Sequence, residues 1–271
     1  MEASLREGDL QQDDMKAAKS KEPEFSIITI CRNEVRGIAP TCQSIVTQKH
    51  ANFEWIVVDG ASTDGTLEVL DQYRERITNI VSEHDNGIYD AMNKGISLSR
   101  GKYVVFMNGG DRFSGPDVLN LVSRAPKAKL IYGQLELDEP GGVLLSQPEK
   151  IGREYLLTHM LHHQATFFHQ SLFKKHGLYD TQYRIAGDYD FFIRILANDP
   201  VSHHYIARPF AVFDRTGISC SEHYRQLRKR ENHQIRMKHF PEYRRSAKAL
   251  RQIIRQFFRE SFFRESFFRG S

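Results

Sequence analysis

Between residues 25 and 107 short β-branched runs alternate with stretches long enough to be helices, and this alternation constrains the chain more than any other feature. Phe25–Cys31, Phe53–Val58, Ile77–Ser82 and Tyr103–Met107 read as strands. Ile38–Gln48, residues 66 to about 76, and Ile88–Ser99 read as helices, with Thr63-Asp64-Gly65-Thr66 offering the second of them an N-cap. Strands separated by helices of about 10–13 residues form βαβ units, so an α/β fold with a mostly parallel sheet flanked by helices is expected.

In such sheets ligands bind beyond the carboxyl ends of the strands. The polar residues of this chain gather there: Arg32-Asn33-Glu34 after the first strand, Asp59 after the second, Glu83 to Asp85 after the third and Asn108-Gly109-Gly110-Asp111 after the fourth. One strand-end acid is an ordinary turn residue; acids on four consecutive strands converge on a crevice. The second half is less regular. Leu130–Leu137 reads as a strand and Gly141-Gly142 as a turn; His159–His169 mixes histidines with apolar residues, and Ile185 to Asp190 lead into a helical run, Phe191–Ala197.

At 271 residues the chain has room for one main domain plus appendages. No apolar run approaches the ~18 residues that span a bilayer. Residues 1–22 are polar, without the apolar core of a signal peptide, and read as a loose leader. Cys31, Cys42 and Cys220 cannot all pair and show no zinc-site spacing, so reduced thiols in a cytoplasmic setting are expected. Residues 222–271 hold 14 Lys and Arg against 5 Asp and Glu, whereas 1–221 hold 24 against 29. A mildly acidic body with a basic tail suggests that the tail meets something anionic, a phospholipid surface or a nucleic acid, or is simply a solvated helix.

No Gly-x-Gly-x-x-Gly follows the first strand, and neither a P-loop nor a Gly-x-Ser-x-Gly elbow occurs. Dinucleotide dehydrogenases, P-loop NTPases and serine hydrolases of that type lose their defining parts. Carboxylates without an evident nucleophile remain. Strand-end acids can hold a base and ribose, one can ligate a hard divalent cation bridging a diphosphate, and another can deprotonate a hydroxyl. Together they describe transfer of a group from a nucleoside diphosphate to an alcohol.

Phe25–Glu34 (FSIITICRNE), Glu54–Thr66 (EWIVVDGASTDGT), Ser82–Gly95 (SEHDNGIYDAMNKG) and Gly101–Asp111 (GKYVVFMNGGD) resemble the successive motifs of family 2 glycosyltransferases, the inverting GT-A family that builds bacterial polysaccharides. His163–Phe168 (HQATFF) and Ala186–Arg194 (AGDYDFFIR) resemble its second half, near the colanic-acid and exopolysaccharide branch. The likeness covers about residues 24–220 and implies a GT-A domain at 23–221, between the leader at 1–22 and a basic, Phe-rich helical tail at 222–271.

Position by position, the resemblance assigns Asp59 to the nucleotide base and Thr29, Arg32, Asn33 and Glu34 to the loop lining its pocket. Asp85 stands near the nucleoside, with Asn93 and Lys94 on the following helix. Asp111 would ligate Mg²⁺ or Mn²⁺, Gly110 replaces an acid that elsewhere touches ribose or metal, and Asp188 matches the catalytic base. Asp188 and Asp190 lie two apart, so on one helix they face about 200° apart and cannot both enter the crevice. Asp190 is then a cap or a partner behind the site. His163 could reach the diphosphate, although a satisfied core histidine is the commoner case; Asp64, before Gly65, is better explained as a cap.

The resemblance implies a UDP- or GDP-linked sugar donor, since an acid accepts hydrogen bonds from uracil or guanine alike. It also implies a glycan or lipid-linked acceptor at the inner face of the plasma membrane. The ending FFRES-FFRES-FFRGS drifts by about 140° per repeat on a helix, so its Phe pairs make no single stripe. Aromatic rings beside Arg nonetheless suit an anionic membrane interface. Two other classes stand beside the leading reading: a non-catalytic nucleotide-sugar-binding module docking on a membrane complex, and a nucleic-acid binder using the tail. The second is disfavoured by the acidic crevice, and no nucleic-acid partner is expected.

Overall fold

A computed structural model describes residues 22–197, 201–217 and 220–245. Strands β1 (Phe25–Cys31), β2 (Phe53–Asp59), β3 (Asn79–Ser82) and β4 (Tyr103–Phe106) pair in parallel in the order β3-β2-β1-β4. Helices α1 (Ile38–Val46), α2 (Thr66–Asp71) and α3 (Ile88–Leu98) make the crossovers, close to the bounds expected from periodicity. All seven residues of β1 are buried, because helices cover both faces of the sheet. Phe25, Ile27, Trp55 and Val57 pack on one side with Ile38, Cys42 and Ile45 of α1. Ile28, Ile30, Ile56 and Val58 pack on the other with Tyr89, Met92 and Ile96 of α3. The in-register pairing ends Cys31 beside Asp59 and Asp59 beside Ser82, one row at the carboxyl edge.

Beyond β4 the pairing changes sense. The sheet continues β4-β8-β6-β9-β5, built from β5 (Arg112–Phe113), β6 (Leu130–Leu137), β8 (Thr166–His169) and β9 (His203–Phe213), with β7 (Val143–Leu145) on the side of β6. β8 runs antiparallel to both β4 and β6, and β5 antiparallel to β9. The expected parallel sheet is therefore the first half of a mixed one. The β6–β7 hairpin turns at Gly141 and Gly142, both at positive φ (88° and 55°), where glycine is strain-free.

Three further helices, α4 (Val118–Arg124), α5 (Arg153–Thr158) and α6 (Ser171–His176), pack around this second half, and α7 (Gly187–Leu196) carries the Gly-Asp-Tyr-Asp segment. Helices α8 (Arg225–His239) and α9 (Pro241–Arg244) join the body: Ile235, Phe240 and Tyr243 are buried against Leu156, Tyr183, Ala186, Tyr189 and Ile193. The packed unit thus runs past the boundary expected at 221, at least to 244. The leader at 1–21 and the Phe repeats at 256–271 lie outside the described residues, as does the membrane role expected of the repeats. Among the described residues no helix is long and apolar enough to cross a membrane.

Phe240 is fully buried in this last cluster. Phe240→Ala is expected to cost about 3 kcal/mol and to lower the urea midpoint of the whole domain in one transition. An unchanged midpoint would mean that α8 and α9 are an appendage.

Candidate active site

A crevice of about 370 Å³ opens beyond the carboxyl ends of β1, β3 and β4. Its wall gathers Arg32 and Glu34 from the β1 loop, Asp85, Tyr89 of α3, Asn108, Gly109 and Asp111 after β4, His163, Gln164, Arg184, Asp188 and Asp214. Sequence motifs from both halves of the chain therefore meet in one place.

Asp188 occupies the first turn of α7, where the helix dipole favours a carboxylate. It is 7% exposed. Its Oδ1 accepts the Tyr189 N–H at 2.9 Å and lies 3.0 Å from the Tyr89 hydroxyl; its Oδ2 stands 3.1 Å from His163 Nδ1. Tyr89 is fixed in turn, 2.9 Å from the Ile185 carbonyl, and burial, then Asp188, raise its pKa well above the ordinary phenol value. Gly187 permits this contact, since a Cβ there would stand 2.8 Å from the Tyr89 ring. The Tyr89 hydroxyl shares its one proton between Asp188 and the Ile185 carbonyl, so three neighbours set against about four lone-pair sites leave the carboxylate room for a further proton partner. Asp190, fully buried, turns away to Arg194 at 2.8 Å, His239 at 2.8 Å and Lys238 at 3.3 Å.

Asp111 lies deeper, 4% exposed, its Oδ1 accepting the Asp214 N–H at 3.0 Å. Burial, augmented by the neighbouring Asp214 charge, pushes its carboxyl up to about 7, against the pull of the Asp214 N–H, His163 and Gln164. Glu34 is likewise raised, by burial and then by Asp214 and Asp64. The Asn108 Oδ1 is buried with no hydrogen-bond partner among the described residues, while its Nδ2 lies 3.4 Å from His163 Nε2. Crowded acids and an orphaned carbonyl oxygen form an oxygen-rich donor set of the kind that hard divalent cations take. Among the described residues no group of three or more His, Cys, Asp or Glu is arranged to hold a metal unaided. The residues fit a cation that draws the rest of its ligands from a diphosphate.

Other expected residues stand off the wall. Asp59 is fully buried at the end of β2 and accepts from Ser62 N–H at 2.9 Å, the Ser82 hydroxyl at 2.7 Å, the Ser62 hydroxyl and, at 3.7 Å, the Cys31 thiol. Thr29 accepts the Trp55 indole N–H at 3.0 Å within the core. Asn33, at φ 52°, ties the β1 and β2 loops together through Ser62 Oγ and Thr63 N–H. Asn93 clasps the Tyr179 backbone with both ends of its amide, and Lys94 pairs with Glu83 at 2.8 Å. Gly110, at φ 94°, lets the chain pass Asp214: a Cβ there would stand 2.6 Å from Asp214 Oδ2. Asp64 accepts from Val35 N–H at 3.0 Å and Thr66 N–H at 3.1 Å, ahead of Gly65, which caps α2.

Tyr89, Arg184 and Asp214 are among the wall residues to which the sequence reading gave no role. Asp214 follows β9 as the other acids follow their strands, and the same strand-end rule would have found it. Tyr89 and Arg184 carried no such mark, because a tyrosine in a helix pattern reads as core and an arginine in a loop as surface.

Residues 26–197 match the family model for glycosyl transferase family 2. A PGL/p-HBAD biosynthesis glycosyltransferase of Mycobacterium bovis is 31% identical over 208 residues, 72% of this chain and 78% of that protein. The fold is similar to Staphylococcus aureus TarS 1-349 in complex with UDP-GlcNAc, with TM-score 0.63 at 16% identity over 82% of this chain and 72% of that one. It is also similar to the mannosyltransferase PcManGT of Pyrobaculum calidifontis in complex with GDP-Man and Mn²⁺, with TM-score 0.59 at 20% identity over 81% and 64%. These two likenesses establish the GT-A fold.

The raised Asp111 pKa has a signed consequence for stability. Between its unfolded value of 3.8 and about 7 the native carboxyl keeps a proton that the unfolded chain releases. Its burial is therefore tolerated at pH 4 and becomes increasingly destabilising up to pH 7. In EDTA, Asp111→Asn is expected to raise the melting temperature by at least about 3 °C at pH 8 and to change it little at pH 4. Equal shifts at both pH values would contradict the burial argument.

Proposed function

The chain belongs to glycosyl transferase family 2, and from that premise we propose that it moves a sugar from a nucleoside-diphosphate donor to a hydroxyl, with Asp188 as the base. One observation carries this reading: a buried carboxylate at a helix N-terminus faces the crevice, held by Tyr89, Tyr189 N–H and His163 and with a lone pair to spare.

The acceptor hydroxyl enters beside Asp188. Its oxygen attacks the anomeric carbon from the face opposite the diphosphate while its proton passes to the carboxylate. The new C–O bond forms as the bond to the diphosphate oxygen breaks, the electron pair leaves with the nucleoside diphosphate, and configuration inverts. Tyr89, Tyr189 and His163 hold the base in one orientation throughout, which general-base catalysis requires. Glu34, Asp85 and Arg32 line the nucleoside end, and Arg32 with Arg184 offsets diphosphate charge on an otherwise acidic wall. Asp111, helped by Asn108, would hold Mg²⁺ or Mn²⁺, and that cation would neutralise charge on the departing diphosphate. Asp59, Asn33, Asn93, Lys94, Thr29 and Gly110 act one step back, keeping the walls in place.

Both structural neighbours were captured with nucleotide sugars, one with UDP-GlcNAc and one with GDP-Man, which supports a donor of this class. The mycobacterial relative's role in PGL/p-HBAD biosynthesis supports an acceptor destined for a cell-surface glycan or glycolipid.

Asp188→Asn is expected to lower kcat about a thousandfold while leaving donor affinity intact; an active variant would remove Asp188 from the role. Among UDP, GDP, ADP and CMP, one should raise the melting temperature, and only with Mn²⁺ or Mg²⁺ present. A shift that survives EDTA would argue against the cation.

A further inference from the structure

Glu231 is a carboxylate on α8, 4% exposed, far along the chain from every motif of the crevice. Burying a carboxylate is costly unless it is paired or fully hydrogen-bonded. No cationic side chain faces Glu231 among the described residues. It meets three consecutive backbone N–H groups instead: Arg184 at 2.8 Å on Oε1, and Ile185 at 2.9 Å and Ala186 at 2.9 Å on Oε2. Those three residues are the approach to Asp188. Ala186 caps α7, the Ile185 carbonyl is the neighbour of Tyr89, and the Arg184 and Ile185 side chains line the crevice.

From this geometry we infer that Glu231 is a positioning residue for the transfer reaction, fixing through the 184–186 backbone where Asp188 and its side of the crevice stand. The inference rests on Asp188 being the base. A carboxylate suits the task where its amide would not, because three converging N–H donors need acceptors on both oxygens, and glutamine would turn an NH₂ toward one of them. The hold is reinforced from the same helix: Arg236 Nε lies 3.1 Å from the Tyr189 hydroxyl, and Lys238 and His239 reach Asp190. Helix α8 thus grips the chain on both sides of Asp188, before it at 184–186 and after it at Tyr189 and Asp190. Its basic composition, read alone, looks like a charged tail; its one inward acid is what joins it to the chemistry.

The test compares full-length Glu231→Ala and Glu231→Gln with wild type and Asp188→Asn. Turnover is scored per site that binds UDP or GDP, whichever stabilises the wild type, so that unfolded material does not count. Glu231→Ala is expected to lose about a hundredfold in kcat per binding site, with donor KM within about twofold of wild type. Glu231→Gln should fall between, down about tenfold, because one oxygen still accepts. A purely structural glutamate would reduce the number of binding sites and leave turnover at each of them unchanged. Turnover per site within about twofold of wild type in Glu231→Gln, beside an inactive Asp188→Asn, overturns the inference even if Glu231→Ala fails to fold. An active Asp188→Asn instead overturns the assignment of the base.

Discussion

Burial of β1 on both faces is the constraint from which the site follows. A strand that shows no side chain to water needs a helix layer on each side and neighbours along both edges. Parallel, in-register pairing with β2 and β4 then ends the strands at one level, and the polar groups that cannot enter the core collect there. Cys31, Asp59 and Ser82 form a hydrogen-bonded row that starts in the crevice wall at Cys31 and runs behind it, while the loops beyond supply most of the wall. The second half of the chain adds the opposite wall by threading antiparallel strands against β4, which brings His163 and Asp188 to the first-half motifs.

Charge inside this wall is arranged unevenly. Asp188 sits at a helix terminus among Tyr89, Tyr189 and His163, and Asp190 has three basic partners that hold its carboxyl below the ordinary range against its burial. Asp111 and Glu34 stand buried near Asp214, and their carboxyls are held above the ordinary range. Such crowding is unfavourable in the empty protein and is relieved when positive charge arrives.

Much of this was legible in the sequence. Phe25–Cys31 and Leu130–Leu137 match the observed strands residue for residue, the first being a β-branched run and the second a short apolar stretch ahead of the Gly141-Gly142 turn. The strand-end rule located the crevice, and helical geometry separated Asp188 from Asp190. Asp59 shows where the rule stops: being at the strand end brings a residue near the site, but hydrogen-bond partners from Ser62 and Ser82 decide which way it faces. The mixed pairing of the second half was hidden, since β6 runs parallel to β9 but antiparallel to β8, and β5 has two residues and no period. The packing of α8 was hidden because Ile235 is sparse company among charges, and a buried Glu231 looks like any solvated glutamate until its partners are known.

The three N–H groups held by Glu231 also bear on how the molecule is made. The crevice begins with residues near 31, yet the loop leading to Asp188 is complete only when residue 231 has folded onto it. During synthesis these contacts must wait for residues 225–239 to leave the ribosome. A nascent chain can therefore assemble its central sheet before the start of α7 is locked. The segment before Asp188 is thus fixed only after α8 has formed, which couples one wall of the crevice to the folding of a helix remote from its motifs.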